Sequence, residues 1–124
     1  MIGNGIRALD DRDRLFIYTL RALGVHRQEA TLVVWLSGAG EVSSKDIEQG
    51  TGIRQSDVSK VLKAMEENGW ISILATNSSA RGSPRKIYSL RASLDEIIGH
   101  YEQKKLSESA LAMGSIERLK ELAN

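Results

Sequence analysis

A mainly α fold carrying one small β-hairpin is the class that this sequence predicts, and three observations lead there. Apolar residues recur at three- and four-residue spacing through most of the 124 residues, the period of a helix with one buried face. Two helical stretches in the middle are separated only by the breaker Gly50-Thr51-Gly52 and two further residues. Only residues 70–75 and 86–90 read as strands, and the polar stretch 77–84, shaped by Gly82 and Pro84, joins them as a hairpin.

Residues 1–9 carry Gly3 and Gly5 and read as a frayed end. Residues 10–23 read as a helix. Asp10, Asp11 and Asp13 stand at its start, where the helix dipole favours carboxylates. Phe16, Leu20 and Leu23 share one face, Ile17 lies beside them, and Gly24 stops the helix. A second helix over 26–36 is polar in its first half apart from Ala30. Its second half, Leu32-Val33-Val34-Trp35-Leu36, is apolar on every side and therefore predicts burial.

Ser37-Gly38-Ala39-Gly40 ends that helix, and Glu41-Val42-Ser43 reads as a very short strand. Ser43 then has the features of an N-cap, with Asp46 three residues on, for a short third helix over 44–49. The fourth helix spans 55–68. Its Val58, Val61, Leu62 and Met65 form one stripe, and Asn68-Gly69 closes it with Gly69 left-handed. Ser93 and Glu96 form a capping box for a last helix over 93–123, whose middle is weakened by Gly114 and the polar stretch 103–105. The predicted layout is one domain, 1–124: an extra N-terminal helix (10–23), a core (24–91) and a long C-terminal helix (93–123).

A hydrophobic fraction of 41% supplies a real core. The absence of cysteine excludes disulfides, thiolate metal sites and a cysteine nucleophile. No apolar run approaches the ~18 residues that span a bilayer, and no basic-then-apolar segment opens the chain. The expectation is a cytoplasmic protein with no membrane partner. Net charge is only +1, but it is unevenly placed. Residues 52–91 hold seven basic side chains (Arg54, Lys60, Lys63, Arg81, Arg85, Lys86, Arg91) against three acids, a balance of +4, while the remainder stands at −3. Such asymmetry points to an anionic partner for that segment.

The stretch SSKDIEQGTGIRQSDVSKVLKAMEENGWI, residues 43–71, resembles the helix-turn-helix of MarR-like and TrmB-like transcriptional regulators, the latter common in archaea. The shared features are the capped helix with Ile47, Gly52-Ile53 at the turn, Val58-Ser59 followed by Leu62, Met65-Glu66, and Gly69-Trp70-Ile71. LGVHRQEATLVVWL, residues 23–36, is similar to the helix that opens TrmB-like DNA-binding domains, although His26 stands where Ser or Thr is usual. RGSPRKIYSL, residues 81–90, looks like a basic wing ending in a Tyr-x-Leu strand. The resemblance covers residues 23–90. It implies a winged helix-turn-helix that binds double-stranded DNA, with 55–68 as recognition helix and 76–86 as wing. The large effector domain of full-length TrmB-like sugar sensors has no counterpart here, so sugar sensing is not implied.

The residues support the same reading without the family. At about 100° per residue, Ser56, Lys60, Lys63 and Glu67 lie opposite the apolar stripe of 55–68, with Gln55 and Ser59 on the flank. A small, polar, cationic outer face is what a helix in the major groove requires, and its first turns meet base edges. Gln55 suits an adenine edge, Lys60 a guanine or a phosphate, and Ser44, Ser56 and Ser59 close approach to the backbone. Arg54 faces either a phosphate or solvent. Arg81, Arg85 and Lys86 on the hairpin suit phosphate or minor-groove contact. Glu67, at the far end, lies away from DNA.

Other residues carry no chemistry in this reading. Trp35 and Trp70 belong to the core, His26 and His100 lack a ligand cluster, and no metal or other cofactor is implied. Gly3-Asn4-Gly5 and Gly38-Ala39-Gly40 lack the context of a nucleotide loop. No Ser/His/Asp set or carboxylate pair offers catalysis, so no enzyme is expected. A helix of about 30 residues runs about 45 Å at ~1.5 Å per residue, and its apolar side needs a partner. Leu94, Ile98, Tyr101, Leu111, Ile116 and Leu119, joined by Phe16 and Leu20, are the candidates for a homodimer interface. A small effector between helices at that interface is left open, its identity unknown. The competing expectation is a winged-helix protein–protein module in a transcription or replication complex.

Overall fold

The computed structural model describes residues 7–76 and 85–124. Its elements run α1 (Asp11–Ala22), α2 (Arg27–Ser37), α3 (Ser44–Thr51), α4 (Gln55–Glu67), β1 (Ile71–Thr76), β2 (Arg85–Leu90) and α5 (Leu94–Ala123). The mainly helical class with one hairpin is as the sequence predicts. The chain divides into two compact units, Met1–Ser93 and Leu94–Asn124.

In the first unit α2 is the centre. It packs against α1, α3, α4 and β2. Five consecutive residues, Leu32 to Leu36, are therefore buried, as a helix apolar on every side demands. Around them stand Leu20 of α1, Ile47 of α3, and Val58, Leu62 and Met65 of α4, all buried. The hairpin is antiparallel, from Ile71 opposite Leu90 to Thr76 opposite Arg85. Val42 forms a single-residue bridge with Tyr88 through two backbone bonds of 2.9 and 2.7 Å, which is the very short strand read at 41–43.

Local chemistry sets the helix ends. Asp10 and Asp13 form a reciprocal capping box on α1, and Ser43 and Asp46 form another on α3. His26 does cap α2: its side chain accepts a hydrogen bond from the Gln28 amide at 3.3 Å, the task usually given to Ser or Thr. α3 runs two residues further than 44–49. It continues through Gly50 and breaks at Gly52, whose φ of +75° is left-handed. Gly50 stays helical for a packing reason. A Cβ there would lie 2.3 Å from the Trp35 ring, so α3 rests its backbone on the indole.

The expectation of a frayed start fails at Arg7. Its guanidinium donates to the carbonyls of Trp35 and Val34, both at 2.9 Å, near the end of α2. It also forms an ion pair with Asp13 at 2.7 Å. The Trp35 indole N–H returns a bond to the Arg7 carbonyl at 2.9 Å. The Arg7 hydrogen bond and the Asp10 backbone bond hold the Asp13 carboxyl at about 2, against a burial that alone would raise it. One side chain thus ties the first turn of α1 to the last turn of α2.

The second unit is α5, 30 residues without interruption. Gly114 and residues 103–105 do not break it, because propagation adds a bond for each residue fixed and outweighs a local penalty of about 1 kcal/mol. Ile97 and Tyr101 are buried. From Glu102 onward every residue is exposed.

Candidate nucleic-acid interface

α3 and α4 are joined by Gly52-Ile53-Arg54. The left-handed Gly52 redirects the chain, and the Ile53 amide donates to the Thr51 hydroxyl at 3.2 Å to fix the turn. α4 packs against α2, α3 and β1 through its stripe of Val58, Leu62 and Met65, with Val61 half-buried beside it. Burial of the stripe decides what faces solvent. Gln55, Ser56, Ser59, Lys60 and Lys63 are all exposed, and so is Glu67.

Arg54 is the N-cap of α4 but gives no side-chain cap. Its guanidinium points outward, 86% exposed, with its Nε 4.0 Å from Asp57. Asp57 is held from the other side, accepting a 3.0 Å hydrogen bond from Gln28 of α2. The first turn of α4 thereby gains a polar contact with α2 in addition to the buried Val58. Ser44 is half-buried in the first turn of α3.

On the hairpin, Arg85 and Lys86 are exposed at the start of β2, paired with Thr76 and Ala75. Arg81 and most of the 76–86 wing lie outside the described residues. The structure thus brings Arg54, Gln55, Ser56, Ser59, Lys60 and Lys63 together on one helix, and places Arg85 and Lys86 on the strand that follows.

Two of the residues proposed for an interface between copies are already covered. Leu20 and Tyr101 are 4% and 5% exposed. Phe16 and Leu94 are half-buried, while Ile98, Leu111, Ile116 and Leu119 are exposed. On α1 the outward apolar residues are Leu15 and Tyr18, because the stripe of Phe16 and Leu20 is turned inward where the helix packs on α2. Leu122, read from the sequence as an apolar position of the last helix, is exposed too, and Leu106 and Met113 of α5 are further exposed apolar residues that the sequence reasoning missed.

A helix–turn–helix whose second helix shows a polar, cationic outer face, followed by a basic hairpin, defines a winged helix-turn-helix DNA-binding domain. Residues 23–82, just under half of the chain, match the MarR family model, and over that span the chain is similar to MarR-family proteins. The match takes in α2, α3, α4 and β1, and falls on the MarR side of the resemblance.

Two solved structures share the fold. A possible transcriptional regulator from Methanosarcina mazei Go1 aligns over 87% of each chain, with 18% identity and a TM-score of 0.57. A transcriptional regulator known from its crystal structure aligns over 90% of this chain and 69% of its own length, with 16% identity and a TM-score of 0.54. No curated protein matches the sequence. Among the described residues no helix is long and apolar enough to cross a membrane.

Proposed function

We propose that this chain is a sequence-specific regulator of transcription that binds double-stranded DNA as a homodimer in the cytoplasm. The first half of α4 reads base edges in the major groove, and the hairpin around Arg81, Arg85 and Lys86 grips the flanking backbone. The observation that carries this reading is the outer face of α4. Gln55, Ser56, Ser59, Lys60 and Lys63 are exposed together, and none is spent on the core. Short side chains there permit close approach, and the two lysines supply the charge.

The homodimer rests on α5. A helix of 30 residues with Leu106, Leu111, Met113, Ile116, Leu119 and Leu122 exposed leaves more apolar surface than a lone helix keeps in water. A second copy covers it, and two-fold symmetry then presents two reading helices, with half-sites about 34 Å or a multiple of it apart.

The test is selection of bound fragments from genomic DNA, followed by footprinting. The result expected is one enriched inverted repeat, protected in two patches a helical turn or a multiple apart. Binding that is absent or insensitive to salt, with a protein partner recovered instead, would sink the reading in favour of a protein–protein module.

A further inference from the structure

Beside the helix–turn–helix lies a cleft of about 440 Å³, whose lining includes Arg27, Gln28, Thr31, Thr51, Arg54 and Asp57. At about 30 Å³ for each water, the space takes an anionic group together with its hydration. Its donors are few. The hydroxyl protons of Thr31 and Thr51 are committed to the carbonyls of Arg27 and Ile47, at 2.8 and 2.7 Å. The donor capacity that remains is that of the two guanidinium groups. Arg27 is exposed and makes no ion pair among the described residues. Asp57 brings one carboxylate into the lining, so two guanidinium groups against one carboxylate leave a balance of +1. One of its oxygens accepts from Gln28 at 3.0 Å. The same oxygen lies 4.0 Å from the Nε of Arg54. Gln28 thus holds Asp57 beside the guanidinium of Arg54.

We infer that Arg27 and Arg54 together hold one phosphodiester of the DNA backbone at the edge of the groove occupied by α4, with Gln28 and Asp57 as positioning residues for Arg54. Guanidinium forks match phosphate oxygens, and a contact of this kind sets register without reading sequence. The inference rests on the duplex-binding reading above, and adds to it a residue of α2 that lies outside the helix–turn–helix.

The experiment measures affinity against salt concentration for two duplexes of equal length, a genomic fragment selected by the protein and a random sequence. Arg27→Gln and Arg54→Gln should each weaken both duplexes by the same factor. The Arg27→Gln/Arg54→Gln double variant should make the slope of log K against log salt shallower by about 0.9, the value of one phosphate contact, and each single variant should account for part of that change. Arg27→Lys should keep the slope. Gln28→Ala should lower affinity with the slope intact, because no charge is lost. Arg12→Gln removes an exposed cation of α1 and should change neither. Melting temperatures equal to wild type certify the fold of each variant. If the wild-type protein binds no duplex, the underlying reading falls and this one with it. If it binds and Arg27→Gln behaves like Arg12→Gln, the cleft alone is refuted. Saturable binding of inorganic phosphate, lost in Arg27→Gln while the DNA slope is unchanged, would assign the cleft to a free anion and overturn the proposal.

Discussion

Replacing Arg7 by methionine tests the least foreseen contact in the molecule. The substitution keeps length and apolar stem but removes the fork. Two bonds of 2.9 Å to the Val34 and Trp35 carbonyls are lost, together with the 2.7 Å ion pair to Asp13. Both side chains of the pair are largely buried, 20% and 17% exposed, so solvent screens it weakly. A carboxyl held at about 2 instead of 3.8 has its ionised form stabilised by about 2 kcal/mol. The carbonyl bonds add about 1 kcal/mol after water replaces the donor. Part of the carboxyl's stabilisation comes from the Asp10 backbone bond and survives the substitution, so Arg7→Met should cost about 2 kcal/mol at neutral pH, a large share of the ~5–15 kcal/mol of a typical domain.

The pH dependence has a definite sign. The Asp13 carboxyl is depressed in the folded state, so its contribution is complete above about 3.8 and is lost as pH falls towards about 2. Urea unfolding of wild type, Arg7→Met, Asp13→Asn and the double variant, at one protein concentration, gives the coupling energy. A value of about 1–2 kcal/mol at pH 7 that shrinks by pH 2 is the expected outcome. A coupling below about 0.5 kcal/mol at pH 7, or one that persists unchanged in acid, refutes the reasoning.

Four further outcomes follow from packing and charge. Gly50→Ala drives a methyl against the Trp35 ring and should lower stability by about 1–3 kcal/mol, the range for overpacking, seen as a reduced urea midpoint. Lys60→Ala and Arg81→Ala should each weaken binding to a selected duplex about fivefold or more without moving the melting temperature, read by mobility shift. Leu111→Glu combined with Ile116→Glu places charges on exposed apolar positions of α5 and should shift a dimer towards monomer in sedimentation at micromolar concentration. Gly114→Ala meets nothing within 4 Å and should raise stability by about 1 kcal/mol, since glycine is the costlier residue inside a helix.

Periodicity made the scaffold legible. The stripe of Val58, Leu62 and Met65 was readable because a helix has one period, and its burial leaves Lys60 and Lys63 outside by geometry alone. The five apolar residues ending at Leu36 announced a central helix for the same reason. Contacts across sequence were not legible. A buried indole N–H needs an acceptor, but nothing local says that Trp35 finds it on the backbone of Arg7, 28 positions away. The pairing of Gln28 with Asp57 spans 29 positions and has no periodic trace. The placing of Leu20, which is buried, at an interface between copies has another origin. Spacing identifies a stripe but not its partner, and the stripe of α1 was taken by α2. The residues proposed to face DNA sit between these cases: their exposure was deducible, while the contact that Gln28 makes with Asp57, beside Arg54, was not.

α4 is anchored along its whole length. Val58 in its first turn and Leu62 and Met65 further on are all buried and tolerate little movement. To the first turn α2 adds a polar bond, Gln28 to Asp57, with the Arg54 Nε 4.0 Å from the same oxygen. A polar bond of this kind is worth about 1 kcal/mol, far less than the apolar packing beside it. Loss of Gln28 should therefore leave the helix in place and act on the surroundings of Arg54 alone. The half of α4 proposed to read bases thus stands on the same buried stripe as the half that carries Glu67, and its exposed face is presented by packing rather than by polar contacts.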